Sequence, residues 1–163
     1  MMASEASALL VRRVTDTGRL PEALAVIHAA FEQYRGVIRP ESGALSETVE
    51  SLAARLETGT LLAVEQCGRI VACTFAQPKG DALYFDRLAV HPSARGLGLA
   101  RRLIEAVGAE ARARGLARIS LGVRIALADN IAFFRRMGFV EVARKAHPGF
   151  SEPTSLDMEK PVA

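Results

Sequence analysis

A chain of 163 residues, 50% of them hydrophobic, is long enough for one domain (1–163) with a real core and too apolar to be disordered. No apolar run approaches the length of a membrane span, and Met1–Leu10 lacks the basic stretch of a signal peptide. These features predict a soluble, cytoplasmic protein that does not enter a membrane. The net charge of +3 is unevenly spread: Arg95, Arg101, Arg102, Arg112, Arg114 and Arg118 stand against Glu105 and Glu110 between His91 and Ser120. A local positive field suits a polyanionic ligand, while composition alone favours the plainer reading, a solvated helix face carrying Glu/Arg pairs.

In chain order, Leu9–Val14 alternates as a first strand. Leu20–Tyr34 carries apolar residues at 20, 24, 27 and 31, a helical stripe with Pro21 in its first turn. Gly36 to Gly43 reads as a loop, and a second helix is predicted from near Ser46. Thr60–Glu65 and Ile70–Gln77 form a hairpin across Cys67-Gly68, and Ala82–Val90 follows after a turn at Pro78–Asp81. A long helix beyond Arg95–Ala100 has Leu99, Leu103, Val107 and Ala111 on one stripe. Arg101 and Glu105 can pair on its outer face, and Gly115 stops it. Leu116–Val123 is a strand, Asn130–Met137 a short helix with Asp129 as its cap, and Phe139–Arg144 and Pro153–Glu159 are the last strands. This order predicts a mixed α/β sheet rather than a regular βαβ series.

Cys67, in the hairpin turn, and Cys73, down the next strand, are expected more than ~10 Å apart, too far for a disulfide. Both read as reduced. They and the scattered His28, His91 and His147 form no metal site.

The informative stretch runs from Leu83 to Ala100: a strand feeds a glycine turn, which feeds an amphipathic helix. The first amides of such a helix lack partners and carry the positive end of its dipole, so a pyrophosphate gains several donors there. Gly96 and Gly98 let the phosphates approach the backbone, and Arg95 adds charge. A Walker A loop would need a Gly-Lys-Ser/Thr ending, and a dinucleotide fingerprint would need a third glycine where Arg101 stands. Arg-x-x-Gly-x-Ala is matched by Arg95, Gly98 and Ala100.

With Leu-Ala-Val-His-Pro at 88–92, this turn resembles the cofactor motif of the GCN5-related N-acetyltransferase (GNAT) superfamily. Asn130 to Phe139 resembles that family's second motif, and Ala146–Phe150 through Lys160 is similar to the ending of bacterial members. The resemblance implies a central, mostly antiparallel, splayed sheet with about four helices. It also implies acetyl-CoA as cofactor and direct acetyl transfer to a small-molecule or peptide amine in a ternary complex. Leu88, Ala89 and Val90 would offer free backbone groups to the pantetheine arm and an N–H to the developing oxyanion. Arg95, Gly96, Leu97, Gly98, Leu99 and Ala100 would hold phosphates; Asn130, Phe133 and Phe134 would line the arm.

Strand alternation puts Tyr84, Asp86, Leu88 and Val90 on one face. Asp86 is the first candidate for the base that deprotonates the amine, directly or through water, and pairing with a nearby arginine is the structural alternative. Tyr84 reads as a proton relay, a substrate wall or a core aromatic. The family's usual tyrosine is replaced by Phe134, which cannot protonate a departing thiolate and leaves a non-catalytic acyl-CoA-binding or sensing domain as the second reading. Phe31, Glu32, Tyr34 and Arg39, with His147 and Phe150, are candidates for the acceptor pocket, each with a bland alternative as core or surface. A nucleic-acid binder using the arginine-rich helix would want interleaved aromatics and a known module, and neither occurs. A homodimer is compatible, dimers being the commonest assemblies.

Overall fold

The computed structural model describes residues 9–162; the reading of Met1–Leu10 falls largely outside them. The chain runs β1 (Val11–Val14), α1 (Leu20–Phe31), α2 (Val49–Leu56), β2 (Thr60–Gln66), β3 (Arg69–Lys79), β4 (Ala82–Val90), α3 (Leu99–Ala113), β5 (Arg118–Arg124), α4 (Ala128–Arg136), β6 (Val140–Lys145) and β7 (Ser155–Pro161). The seven strands form one sheet in the order β1-β2-β3-β4-β5-β7-β6. Every pairing is antiparallel except β4 with β5. This is the mixed sheet that the element order predicts, and its mostly antiparallel pairing is what the family resemblance implies.

Two cores form, one on each face. On one face α1 and α2 set Leu20, Ile27 and Leu52 against Leu61, Ala63, Cys73, Phe75 and Ala89. On the other, α3 and α4 set Leu99, Leu103, Val107 and Phe134 against Val64, Leu83, Phe85 and Leu121. Burying each large aliphatic stabilises the fold by about 1.5–3 kcal/mol. The α3 stripe lies where its periodicity predicts. On α1 the buried residues are Leu20, Ala23, Val26, Ile27 and Ala30, so Leu24 and Phe31 lie at the stripe's edge rather than its centre.

Local chemistry moves several boundaries. The α-helix ends at Phe31, and Glu32–Tyr34 tightens into a 3-10 turn. Gly43–Ser46 is another 3-10 turn, and α2 starts only after Thr48. Thr48 accepts from the Ser51 amide at 3.1 Å while Ser51 Oγ accepts from the Thr48 amide at 2.8 Å, a reciprocal cap that outcompetes a start at Ser46. Asp129 does not cap α4: Leu127 is the N-cap, and Asp129 sits inside the first turn. The expected Arg101–Glu105 pair is replaced by one centred on Glu110, whose carboxylate takes Arg13 at 2.5 Å and Arg114 at 2.9 Å. Cys67 is exposed in its turn and Cys73 is buried; both are free thiols, and burial pushes the Cys73 thiol up to about 12.

One departure from sheet regularity matters most. Cys73 pairs with Ala89 and Phe75 with Asp86, so Arg87 and Leu88 of β4 together face the single residue Thr74 of β3. Arg87 has φ 53°, in the left-handed region that non-glycine residues rarely adopt. This is a β-bulge, and it shifts the alternation of β4 by one residue. Thr74, fully buried, donates its hydroxyl to the Asp86 carbonyl at 2.9 Å and so satisfies an oxygen within the disrupted ladder. Thr74→Val should therefore leave that carbonyl unpaired at nearly constant volume. We expect a loss of about 1–3 kcal/mol, read as a lower urea midpoint at unchanged m-value.

Candidate active site

β4 and β5 hydrogen-bond only from Ala82↔Arg118 to Tyr84↔Ser120, then part. Phe85–Val90 thus has β3 on one side and no strand on the other. A cavity of about 800 Å3 fills the resulting cleft, walled by both strands, the end of α1, the 40–43 loop, α4 and β7.

The bulge corrects the expectation that Tyr84, Asp86, Leu88 and Val90 share a face. Asp86 lies opposite Phe75, on the α1/α2 side with Tyr84, whereas Leu88 and Val90 pack against the α3 core. Ala89 belongs to the α1/α2 core. All four of the expected residues still line the cleft, because it passes between the strands rather than lying over one face.

At one end of the cleft is the glycine turn. Gly98, φ 72°, is the N-cap of α3, and no side chain caps that helix. Its first amides are left to solvent or ligand. Gly96 has φ 83°, and a Cβ at either glycine would meet no protein atom within 4 Å. The glycines are therefore required by backbone conformation, and the space beside them is open to a ligand. Leu99 anchors the turn in the core, while the Leu97 side chain is exposed, so both offer backbone groups only. Arg95 and Ala100 reach the cleft wall. Open strand, uncapped turn and cavity together fit a long, phosphate-bearing molecule such as acetyl-CoA.

Phe133 and Phe134 line the same cleft from α4. Phe134 also packs edge-on to Phe133 at 5.5 Å and to Phe139 at 5.8 Å, so the ring in the tyrosine's place is a core member as well as a wall. Asn130 Nδ2 donates to Tyr34 Oη at 3.2 Å, tying the expected cofactor and acceptor residues together. Phe31 stacks edge-on against Tyr34 at 5.9 Å. His147 lies at the rim, its amide donating to Thr154 Oγ1 at 3.0 Å and its ring bonded to the same oxygen. Burial and then the Arg124 charge hold its pKa below the usual histidine value, which favours the neutral ring. Arg39, by contrast, is exposed and does not reach the cleft; neither does Glu32. Phe150 is 40% exposed beyond the rim.

Both oxygens of Asp86 accept from Arg55 Nη1 at 3.0 Å. Arg55 Nε in turn donates to Glu47 at 2.7 Å, and Glu47 also takes Arg87 Nε at 3.3 Å. The side chains alternate in charge, Asp86–Arg55–Glu47–Arg87, and link β4 to α2 and the loop before it. The Tyr84 hydroxyl is raised above its ordinary pKa by burial and then by the Asp86 charge. It therefore stays protonated at neutral pH and can donate a hydrogen bond but not serve as a base. Sequence reasoning missed Arg55, Glu47 and Arg87, which meet Asp86 only through tertiary packing, and Arg124, which ends β5 in the cleft wall.

The Acetyltransferase (GNAT) family model matches residues 24–139. An IAA acetyltransferase from Azospirillum brasilense is 30% identical over 145 residues, covering 88% of this chain and 93% of its own. Ribosomal-protein-alanine N-acetyltransferase from Brucella melitensis superposes with a TM-score of 0.74 at 26% identity, over 94% of this chain and 99% of that one. PaiA N-acetyltransferase from Thermoplasma acidophilum, solved with coenzyme A, shares the fold with a TM-score of 0.76 at 15% identity, over 94% and 98% of the two chains. A cleft opened by two parting strands, an uncapped glycine turn at its end and a family match across most of the described fold lead to one conclusion: this chain belongs to the GNAT family of acetyltransferases and is an N-acetyltransferase that uses acetyl-CoA.

Proposed function

We propose that this protein, as a single domain over 1–163, moves the acetyl group directly from acetyl-CoA to a primary amine of a small molecule or peptide, both substrates being bound together. The observation that carries this reading is the cleft between β4 and β5, with Asp86 and Tyr84 on its α1/α2 side and the glycine turn at its end. Acetyl-CoA supplies an activated thioester carbonyl. The α3 amides from Leu99 onward and Arg95 bind the phosphates. Backbone groups of Leu88–Val90, unpaired on the β5 side, take the arm as an added strand would be taken. An N–H in this stretch serves the oxyanion.

Asp86 receives the proton of the incoming ammonium, directly or through water. Its two oxygens are both served by the one Arg55 nitrogen Nη1, and each carboxylate oxygen has a further lone pair, so acceptor capacity for that proton remains. Tyr84 supplies a hydrogen-bond donor beside it. Phe134 is no obstacle to turnover, because a thiol with a pKa near ~8.5 leaves acceptably as thiolate.

Asp86→Asn should retain coenzyme A affinity and lower kcat by about 100-fold or more in a thiol-release assay over an amine panel. Turnover equal to wild type at every pH would remove Asp86 from the mechanism. Gly98→Ala places a methyl group where the protein has open space but the phosphates need access. Calorimetric titration should show coenzyme A bound at least about tenfold more weakly; unaltered affinity would mean the phosphates lie elsewhere.

A further inference from the structure

The cleft holds an asymmetry in how its charges are used. Its three carboxylates are all engaged: Asp86 by Arg55, Asp157 by Lys145 at 2.7 Å, and Glu41 by the Gly36 amide at 2.7 Å. Among its cations, Arg87 and Lys145 are neutralised by Glu47 and Asp157. Lys79 rests over the Tyr84 ring, 4.9 Å from its centroid, at the exposed end of β3. Arg95 belongs to the glycine turn.

Arg124 is different. It is half-buried at the end of β5, and among the described residues no carboxylate lies within ion-pair distance. Its Nη1 donates to the Pro40 carbonyl at 2.8 Å and its Nη2 to the Glu41 carbonyl at 3.3 Å. Neutral carbonyls fix the guanidinium in place without cancelling its charge. Of its five N–H groups, two are spent, which leaves three to offer. Burial and then the nearby Arg87 charge disfavour its cationic form, only partly offset by the more distant Glu41 carboxylate, a tension that a bound anion would relieve.

We propose that Arg124 reads a carboxylate on the acceptor, so that the preferred substrates are small amines that also carry a carboxylate. This rests on the transferase reading above and narrows its substrate class. A planar guanidinium held rigid from one side suits a planar carboxylate, with fork geometry and full charge available. Tyr34, His147 and the 40–43 loop line the same cleft, and the Arg124 charge itself favours the neutral form of His147.

The test compares amino acids with their own amides and with the corresponding decarboxylated amines, using α-, β- and γ-amino acids to vary the spacing. Thiol release from acetyl-CoA is measured with wild type, Arg124→Gln and Arg124→Lys. Wild type should favour the carboxylated member of each active pair by about 10- to 100-fold in kcat/KM, mostly through KM. Arg124→Gln should collapse that ratio towards one. Arg124→Lys, which keeps the charge but not the fork, should fall between. Equal rates for acids and amides in wild type, or a preference that survives in Arg124→Gln, would overturn the assignment of Arg124 alone. Coenzyme A binding without acetylation of any amine would sink the transferase reading, and this inference with it.

Discussion

The parting of β4 from β5 after three residue pairs is the constraint on which the site depends. A sheet interior is normally sealed by hydrogen bonds, and leaving backbone groups unpaired there is unfavourable unless water or a ligand takes them. Here the exposed edge lies inside the molecule, between two cores that hold the strands in place from opposite faces. The cleft is therefore rigid in its walls and unsatisfied along its floor. That combination suits a long ligand that can donate and accept along its length.

The bulge at Arg87 decides what the cleft contains. Without it, regular alternation from Asp86 would carry Leu88 and Val90 onto the α1/α2 side and Arg87 into the α3 core, where its charge would have no partner. The extra residue instead returns Leu88 and Val90 to the α3 side and lets Arg87 reach Glu47. The fit is close: a Cβ on Gly43 would lie 2.8 Å from the Arg87 guanidinium. Thr74, one buried hydroxyl on the neighbouring strand, supports the arrangement from behind.

Much of this was legible from the amino acids. The α3 stripe, the glycine turn and the succession of elements along the chain follow from periodicity and from glycines at positions where φ is positive, and these are local properties. The bulge was not legible, because the usual sign is a glycine or asparagine in the left-handed position and here it is Arg87. The alternation argument therefore ran one residue too far, although Tyr84 and Asp86 do share a face of β4. Arg55 was missed for a different reason: it lies 31 residues from Asp86, and only the docking of α2 brings them together. Arg39 looked as eligible as Tyr34 in the same loop, yet the fold turns one outward and the other toward Asn130. Arg124 looked like an ordinary charged residue at a strand's end.

The three shared pairs also make β4–β5 the weakest seam in an otherwise continuous sheet. A molecule lying along that seam touches the first four strands on one side and the last three on the other, so its binding free energy adds directly to the cohesion between them. In the binding mode proposed above, the acyl donor would act as an eighth, transient strand. On that proposal the protein would be most tightly knit while loaded, and each departure of spent coenzyme A would return it to a looser state ready for the next.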